Sequence, residues 1–236
     1  MKRAILFIFI FSQLHSQKKY CFDYTFIVKE NDKIKDKNYN SIFLANSKTN
    51  NYRLYALDYV DSLSYTLHFG DENGVGFYGM MKKPDFNNVE TITTTCKEVF
   101  KAANPFKDKR EEYDFINFKD TVINDISYFH YAIKSNKSLK YQKRKKIVTT
   151  HYIVDKSDTT FLPLTYISTI YETWKKFKNI PNGYPKTIYF INTEGIETKR
   201  MEFEKAIKID RYITIPNECD YTREEVRKTI FPIISE

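Results

Sequence analysis

Beyond residue 16 the chain carries three histidines, His68, His130 and His151, the side chains best suited to proton transfer or metal binding near neutral pH. Each lies in a stretch that reads as β-strand. A metal site needs at least two of them, or one with carboxylates, converging on one face. His130 and His151 become cross-strand neighbours if the hairpin around Lys140 is regular, which keeps an acid–base or metal role in view. The plainer expectation is polar-face or hydrogen-bonded rings. Glu111-Glu112 and Glu224-Glu225 are adjacent pairs, so they point to opposite faces of a strand or diverge around a helix, and neither suggests paired-carboxylate hydrolysis. The nucleophile elbow G-x-S-x-G, Gly-rich phosphate loops, H-E-x-x-H, calcium-loop and C-x-x-C patterns are missing from the sequence. No catalytic residue, metal or cofactor is assigned, and a hydrolase assembled from scattered residues stands as a third reading.

The strongest local charge feature is the run Lys137, Lys140, Lys143, Arg144, Lys145 and Lys146, with Tyr141 inside it. Its dense part, Lys143, Arg144, Lys145 and Lys146, suits contact with an anionic head group or surface polysaccharide. A solvated hairpin tip explains the same residues more simply. The 19 Tyr and 19 Phe either line a cavity, fill a core, or present a contact surface.

The first sixteen residues read as an address. Lys2 and Arg3 precede the apolar run Ala4 to Phe11, and Ser12, Gln13 and Ser16 follow, the order of a secretory signal with cleavage near Ser16. Residues 17–236 are then one exported β-rich domain, in the periplasm or beyond. Losing Lys2 and Arg3 takes the net charge from +8 to +6, which allows loose attraction to anionic envelope surfaces and peripheral membrane contact. Export argues against nucleic acid as a partner. No later stretch approaches the roughly 18 apolar residues of a membrane helix. Cys21, Cys96 and Cys219 permit one disulfide in an oxidising compartment, in any of three pairings, or three buried thiols.

The elements that must position these residues are mostly strands. Tyr20, Phe22, Tyr24, Phe26 and Val28 alternate with Cys21, Asp23, Thr25 and Lys29, as a half-buried antiparallel strand requires. Lys29 to Asn40 reads as a loop. Further strands are expected at 41–46, 52–60, 63–69, 75–81, 89–95, 113–118, 125–134, 147–154, 187–191, 196–203 and 212–215, with turn chemistry at Asp71-Glu72-Asn73-Gly74 and Asn192-Thr193-Glu194-Gly195. Strands 125–134 and 147–154 carry apolar residues on both faces and should be central. Cys96 to Ala103 reads as a short helix, Pro84 to Asn88 as a break and Ser135 to Lys146 as a polar loop. Ile170 to Lys178 is helix or loop, and Thr222 with Glu225 makes a capping box for a helix over 222–228. The fold class is mainly β, a curved antiparallel sheet or half-open barrel with two or three short helices.

Two stretches, His151 to Thr165 (HYIVDKSDTTFLPLT) and Asn179 to Gly195 (NIPNGYPKTIYFINTEG), carry a strand ending in Asp, a Pro-bearing segment, then P-x-G-x-P-K-x-I-x-F leading into a strand and an N-x-x-G hairpin. This pattern resembles exported bacterial proteins of the outer-membrane lipoprotein carrier type (LolA/LolB-like), and is similar to the secreted group named for a G-L-P-G-L-I motif. At the place of that motif stand Asn182-Gly183-Tyr184-Pro185-Lys186-Thr187-Ile188, which keep a Gly, a Pro and an Ile. The resemblance implies an unclosed antiparallel barrel covered by helices, with an apolar cavity.

The leading expectation is a non-enzymatic envelope protein that binds an apolar ligand or lipidated partner in a half-barrel cavity. Alternation assigns Phe22, Tyr24, Phe26, Tyr65, Leu67 and Phe69 to its lining. The alternative is a protein with a filled core that docks another envelope protein.

Overall fold

The computed structural model describes residues 17–58, 63–102, 104, 107–157 and 159–219. The signal segment and the helix expected over 222–228 lie outside the described residues. In chain order the elements are β1 (Lys18–Asp32), β2 (Lys37–Asn46), β3 (Thr49–Asp58), β4 (Ser64–Asp71), β5 (Val75–Lys82), α1 (Lys83–Asn88), β6 (Thr91–Thr93) and β7 (Val99–Lys101). There follow a 3-10 turn at Arg110–Glu112, β8 (Tyr113–Asn117), β9 (Thr121–Ile123), β10 (Ile126–Ser135), α2 (Leu139–Lys145), β11 (Thr149–Asp155), α3 (Ser168–Phe177), β12 (Pro185–Ile191) and β13 (Glu197–Ile215).

One sheet runs in the order β7-β5-β4-β3-β2-β1-β13-β12-β11-β10-β8, with β9 beside β10 and β6 beside β13. Only β6 pairs in parallel; the sheet is curved and does not close into a barrel. The mainly β, half-open architecture is thus as expected, and β10 and β11 are interior strands. Among the described residues no helix is long and apolar enough to cross a membrane.

Local chemistry explains where the elements differ from expectation. The loop expected at Lys29 to Asn40 shrinks to a turn between β1 and β2, because the Asp32 carboxylate accepts from the backbone of Ile34 and Lys35 and pins the reversal. Pro84 stands in the first turn of α1 rather than breaking the chain, where its missing N–H costs nothing, and Phe86 beneath it is buried. Of the helix expected over Cys96 to Ala103, the described residues 96–102 are not helical: Val99 and Phe100 are both buried, as strand β7 against β5. The polar loop at Ser135 to Lys146 holds α2, capped by the Ser138 hydroxyl, which accepts from the Tyr141 N–H, and closed by Lys146 in the left-handed conformation. Of the strands expected at 196–203 and 212–215, residues 197–203 and 212–215 belong to a single strand, β13, whose charged middle is held by its ladder with β1.

Two apolar clusters share this sheet. Phe26, Val28, Phe43, Tyr131, Tyr152 and Phe203 belong to the first, and Phe22, Leu44, Leu54, Phe69, Phe77 and Ile213 to the second. Consecutive residues of β2 alternate between them, so both faces of that strand are covered. Pairing with β2 starts only at Tyr24, while the ladder of β1 with β13 continues back to Lys18. The extra residues of β13 opposite Phe22–Tyr24 and Ile27–Val28 are bulges, which add twist and curl the paired ends over the far side of β2–β5. There Tyr20 packs on Tyr52 and Phe69 at centroid distances of 5.0 and 4.7 Å.

Cys96 and Cys219 form a disulfide spanning 123 residues and leave Cys21 free and exposed. Closing so long a loop lowers the entropy of the unfolded chain by about 4–5 kcal/mol in the chain-entropy picture. Replacing Cys96 and Cys219 together by Ser should lower the unfolding free energy measured by urea titration by an amount of that order, while Cys21→Ser changes it by less than about 0.5 kcal/mol. Non-reducing peptide mapping that found Cys21 in the bridge would contradict this pairing.

Candidate functional site

The six residues assigned to a cavity lining do not surround one space. Phe22, Leu67 and Phe69 lie in the second cluster with Tyr65 packed against it, whereas Phe26 lies in the first with Tyr24 beside it. Their partners are the chain's own rings. Phe161, from the connection between β11 and β12, meets Tyr24 and Phe26 edge-on, and Tyr184 packs on Phe26. That connection is tied down: Leu162 N–H donates to Ser47 O, Asn50 Nδ2 to Pro163 O, and Thr165 Oγ1 to Asn50 O. Gly183, at φ +128°, passes so close to Asp155 that a Cβ would lie 2.3 Å from its carbonyl oxygen. Beside Phe43 and Phe161 the remaining space is about 10 Å3, room for about one water.

A charged cluster on the inner side of the sheet is equally complete. Glu30 accepts from Ser41 Oγ at 2.6 Å and pairs with Lys199 Nζ at 2.7 Å. Burial alone would lower the Lys199 pKa, but Tyr166 and Glu30 outweigh it and hold the amine above its ordinary value.

The open space is on the outer face, where β8, β10, β11 and β12 meet α2. Inward positions on β10 and β11 are Tyr131, Ile133, Tyr152 and Val154; the alternate positions, His130, Ala132, Lys134, Thr149 and His151, face the other way. Here lies a groove of about 570 Å3. Ile116, Phe118, Ile147 and Ile191 supply its apolar surface, Leu139 and Gln142 of α2 stand on one rim, and the Asn192–Gly195 turn and Lys134 complete it. A second groove of about 560 Å3 is lined by Tyr39 together with Lys29, Glu30, Lys33, Arg200, Glu202 and asparagines, so charged and amide side chains make up most of its lining.

His130 and His151 are brought together at the first groove. Their registers, opposite Ile153 and Ala132, make them diagonal neighbours across β10 and β11, with His130 Nε2 3.2 Å from His151 Nδ1. The Tyr189 hydroxyl is also 3.2 Å from His130 Nε2. Phe118 stacks on both imidazoles, His151 stacks on Tyr189 at 4.7 Å, and Arg200 lies over the Tyr189 ring. His68 is elsewhere, against Tyr78. Burial lowers the His130 pKa; burial, then the proximity of His130, lowers that of His151 to about 4. Burial also raises Tyr189, which therefore stays a phenol. Both contacts meet at His130 Nε2, which accepts from Tyr189 O–H or His151 Nδ1–H in the tautomer that carries its proton on Nδ1, and donates in the other.

Among the described residues no three His, Cys, Asp or Glu side chains converge as metal ligands, and no carboxylate is hydrogen-bonded to either imidazole. The basic run lies on α2 and just after it, at the same rim. Sequence reasoning missed Ile116, Phe118, Tyr189 and Ile191; the alternation of β8 and β12 opposite the two histidine strands is the signal that would have found them.

No protein-family model and no curated protein matches the sequence. Among solved structures the fold is similar to MucB in the Pseudomonas aeruginosa MucA/MucB complex, at 6% identity over 79% of this chain and 51% of that one, with a TM-score of 0.42. The chain spans about half the length of MucB. It is also similar to an uncharacterized conserved protein from Thermus thermophilus, at 8% identity over 86% and 91% of the two chains and a TM-score of 0.46. A LolA superfamily protein from Nitrosomonas europaea aligns at 10% identity over 79% and 84%, with a TM-score of 0.28.

An unfolded histidine takes up a proton near pH 6.5, whereas folded His151 resists until about 4, so the stability this residue contributes is present above 6.5 and is lost as pH falls towards 4. The imidazole NMR shifts of His151 should titrate near pH 4, and His151→Phe should shrink the loss of denaturation midpoint between pH 6.5 and 4. A His151 titration at 6.5 or above would contradict the geometry, in which the ring is half-buried and lies against His130.

Proposed function

We propose that this protein is an exported, non-catalytic binding protein of the bacterial envelope, and that it takes an apolar chain into the outer groove. The chain belongs to a lipid-like molecule or to the acyl group of a lipidated partner. One observation carries the reading: beside Phe43 and Phe161 the protein's own rings leave about 10 Å3, while the outer groove keeps about 570 Å3 open along Ile116, Phe118, Ile147 and Ile191, within the range of small-molecule sites. The disulfide suits an oxidising compartment, and the signal-like N-terminus supports export. The neutral histidine pair supports the same reading, because it adds no charge to the wall against which a hydrocarbon would lie.

Docking of another envelope protein is the second reading, favoured by that filled interior. The two are separated by native and denaturing mass spectra of the gently purified, exported chain. A co-purifying apolar mass, with uptake of an environment-sensitive apolar dye, is the expected result. Ile191→Asp puts a carboxylate into the apolar wall and should weaken dye binding at least about tenfold with circular dichroism unchanged. A clean apo mass with no dye uptake, or dye uptake indifferent to Ile191→Asp, would remove the groove reading.

A further inference from the structure

We infer that the rim formed by α2 and the β12–β13 turn is a docking surface for an anionic lipid bilayer, and that it brings the mouth of the groove to the membrane. Lys140, Lys143, Arg144, Lys145 and Lys146 are all exposed on or just after α2, and Lys134 is exposed on the neighbouring strand. Among the described residues Lys143 alone of these six has a carboxylate partner, Glu194 at 3.7 Å, in a half-exposed pair that stabilises little. Complementing the C-terminal dipole of so short a helix would take one or two cations. The run therefore holds more positive charge than the fold uses, in a protein whose basic excess is modest.

The second observation is apolar. Leu139 at the start of α2 is 56% exposed and Ile196, directly after the Asn192–Gly195 turn, is 60% exposed. The Lys143–Glu194 contact holds the two segments at one rim. Exposed aliphatic side chains set among lysines are the composition of an interfacial anchor: the aliphatics enter the head-group region while the cations meet anionic lipid. A protein partner would be expected to cover a larger apolar patch than two separate side chains. Leu139 also lines the groove, so membrane contact and the groove mouth coincide.

The occupant proposed here is a bilayer surface, and the docking surface rests on the groove reading only for its purpose, not for its test. The full exported chain is sedimented with vesicles of phosphatidylcholine containing phosphatidylglycerol, and with vesicles of phosphatidylcholine alone. Partition onto the anionic vesicles should be at least about tenfold stronger and should fall with added salt. The variant Lys143→Gln, Arg144→Gln, Lys145→Gln, Lys146→Gln should lose at least about tenfold of that partition, since each cation near the surface is worth roughly fivefold. Leu139→Asp should weaken it as well, with thermal unfolding unchanged for both exposed-site variants. Ile191→Asp should abolish dye uptake and leave vesicle partition intact. Equal partition onto both vesicle types, or retention by the quadruple variant, overturns the docking surface. Loss of vesicle partition in Ile191→Asp also overturns it, because attachment would then run through the groove. Failure of dye uptake by the unaltered chain, with its vesicle binding intact, overturns the groove and leaves the surface standing.

Discussion

The ladder between β1 and β13 is the interaction on which the molecule depends. It runs from Lys18 opposite Ile215 to Asp32 opposite Lys199, and it joins the strands of the N-terminal meander to those that carry His130 and His151. Because β2 pairs with β1 only from Tyr24 onward, the outer end of the ladder is free to bend, and the bulged residues of β13 supply the bend. One sheet thereby encloses two apolar clusters, one on each side of β2. The disulfide from Cys96 to Cys219 holds the bent end where it covers the second cluster.

That bend decides where a ligand could go. A curved sheet with an empty concave side would be a lipid container, but here the β11–β12 connection and α3 bring Phe161, Leu164, Tyr166 and Ile170 onto it, fastened by backbone hydrogen bonds to the β2–β3 hairpin. Apolar surface left open therefore lies on the other side, where β10 and β11 expose alternate residues beside α2. The imidazole pair keeps this face neutral at ordinary pH, and cations gather at its rim. An apolar wall bounded by positive charge is the one place where the basic run acquires a structural context.

Period-two alternation made the strands legible, because most of them bury one face and the pattern is imposed by burial itself. It also placed His130 and His151 on adjoining strands. What it hid was the direction of each face once the sheet bends: Phe22 and Phe26 share a parity in β1 yet serve different clusters. Short elements were misread where tertiary contacts outweigh local preference, as at Val99-Phe100, buried on a strand, and at Ser138 to Lys145, where a Ser cap and good helix formers were hidden in a charged run. The groove itself was illegible because Ile116 and Phe118, Ile147, and Ile191 come from three separate segments and meet only through the β8-β10-β11-β12 order.

Whether the outer face, rather than the interior, receives an apolar chain is tested most directly by photolabelling. The exported protein is labelled with a fatty acyl probe carrying a diazirine and mapped by peptide mass spectrometry. Labels should concentrate at residues 116–118, 147–151 and 189–196. Labels concentrated at Phe26, Phe43, Phe161 and Phe203 would show that the interior opens to take the chain, and would contradict the outer groove as its site.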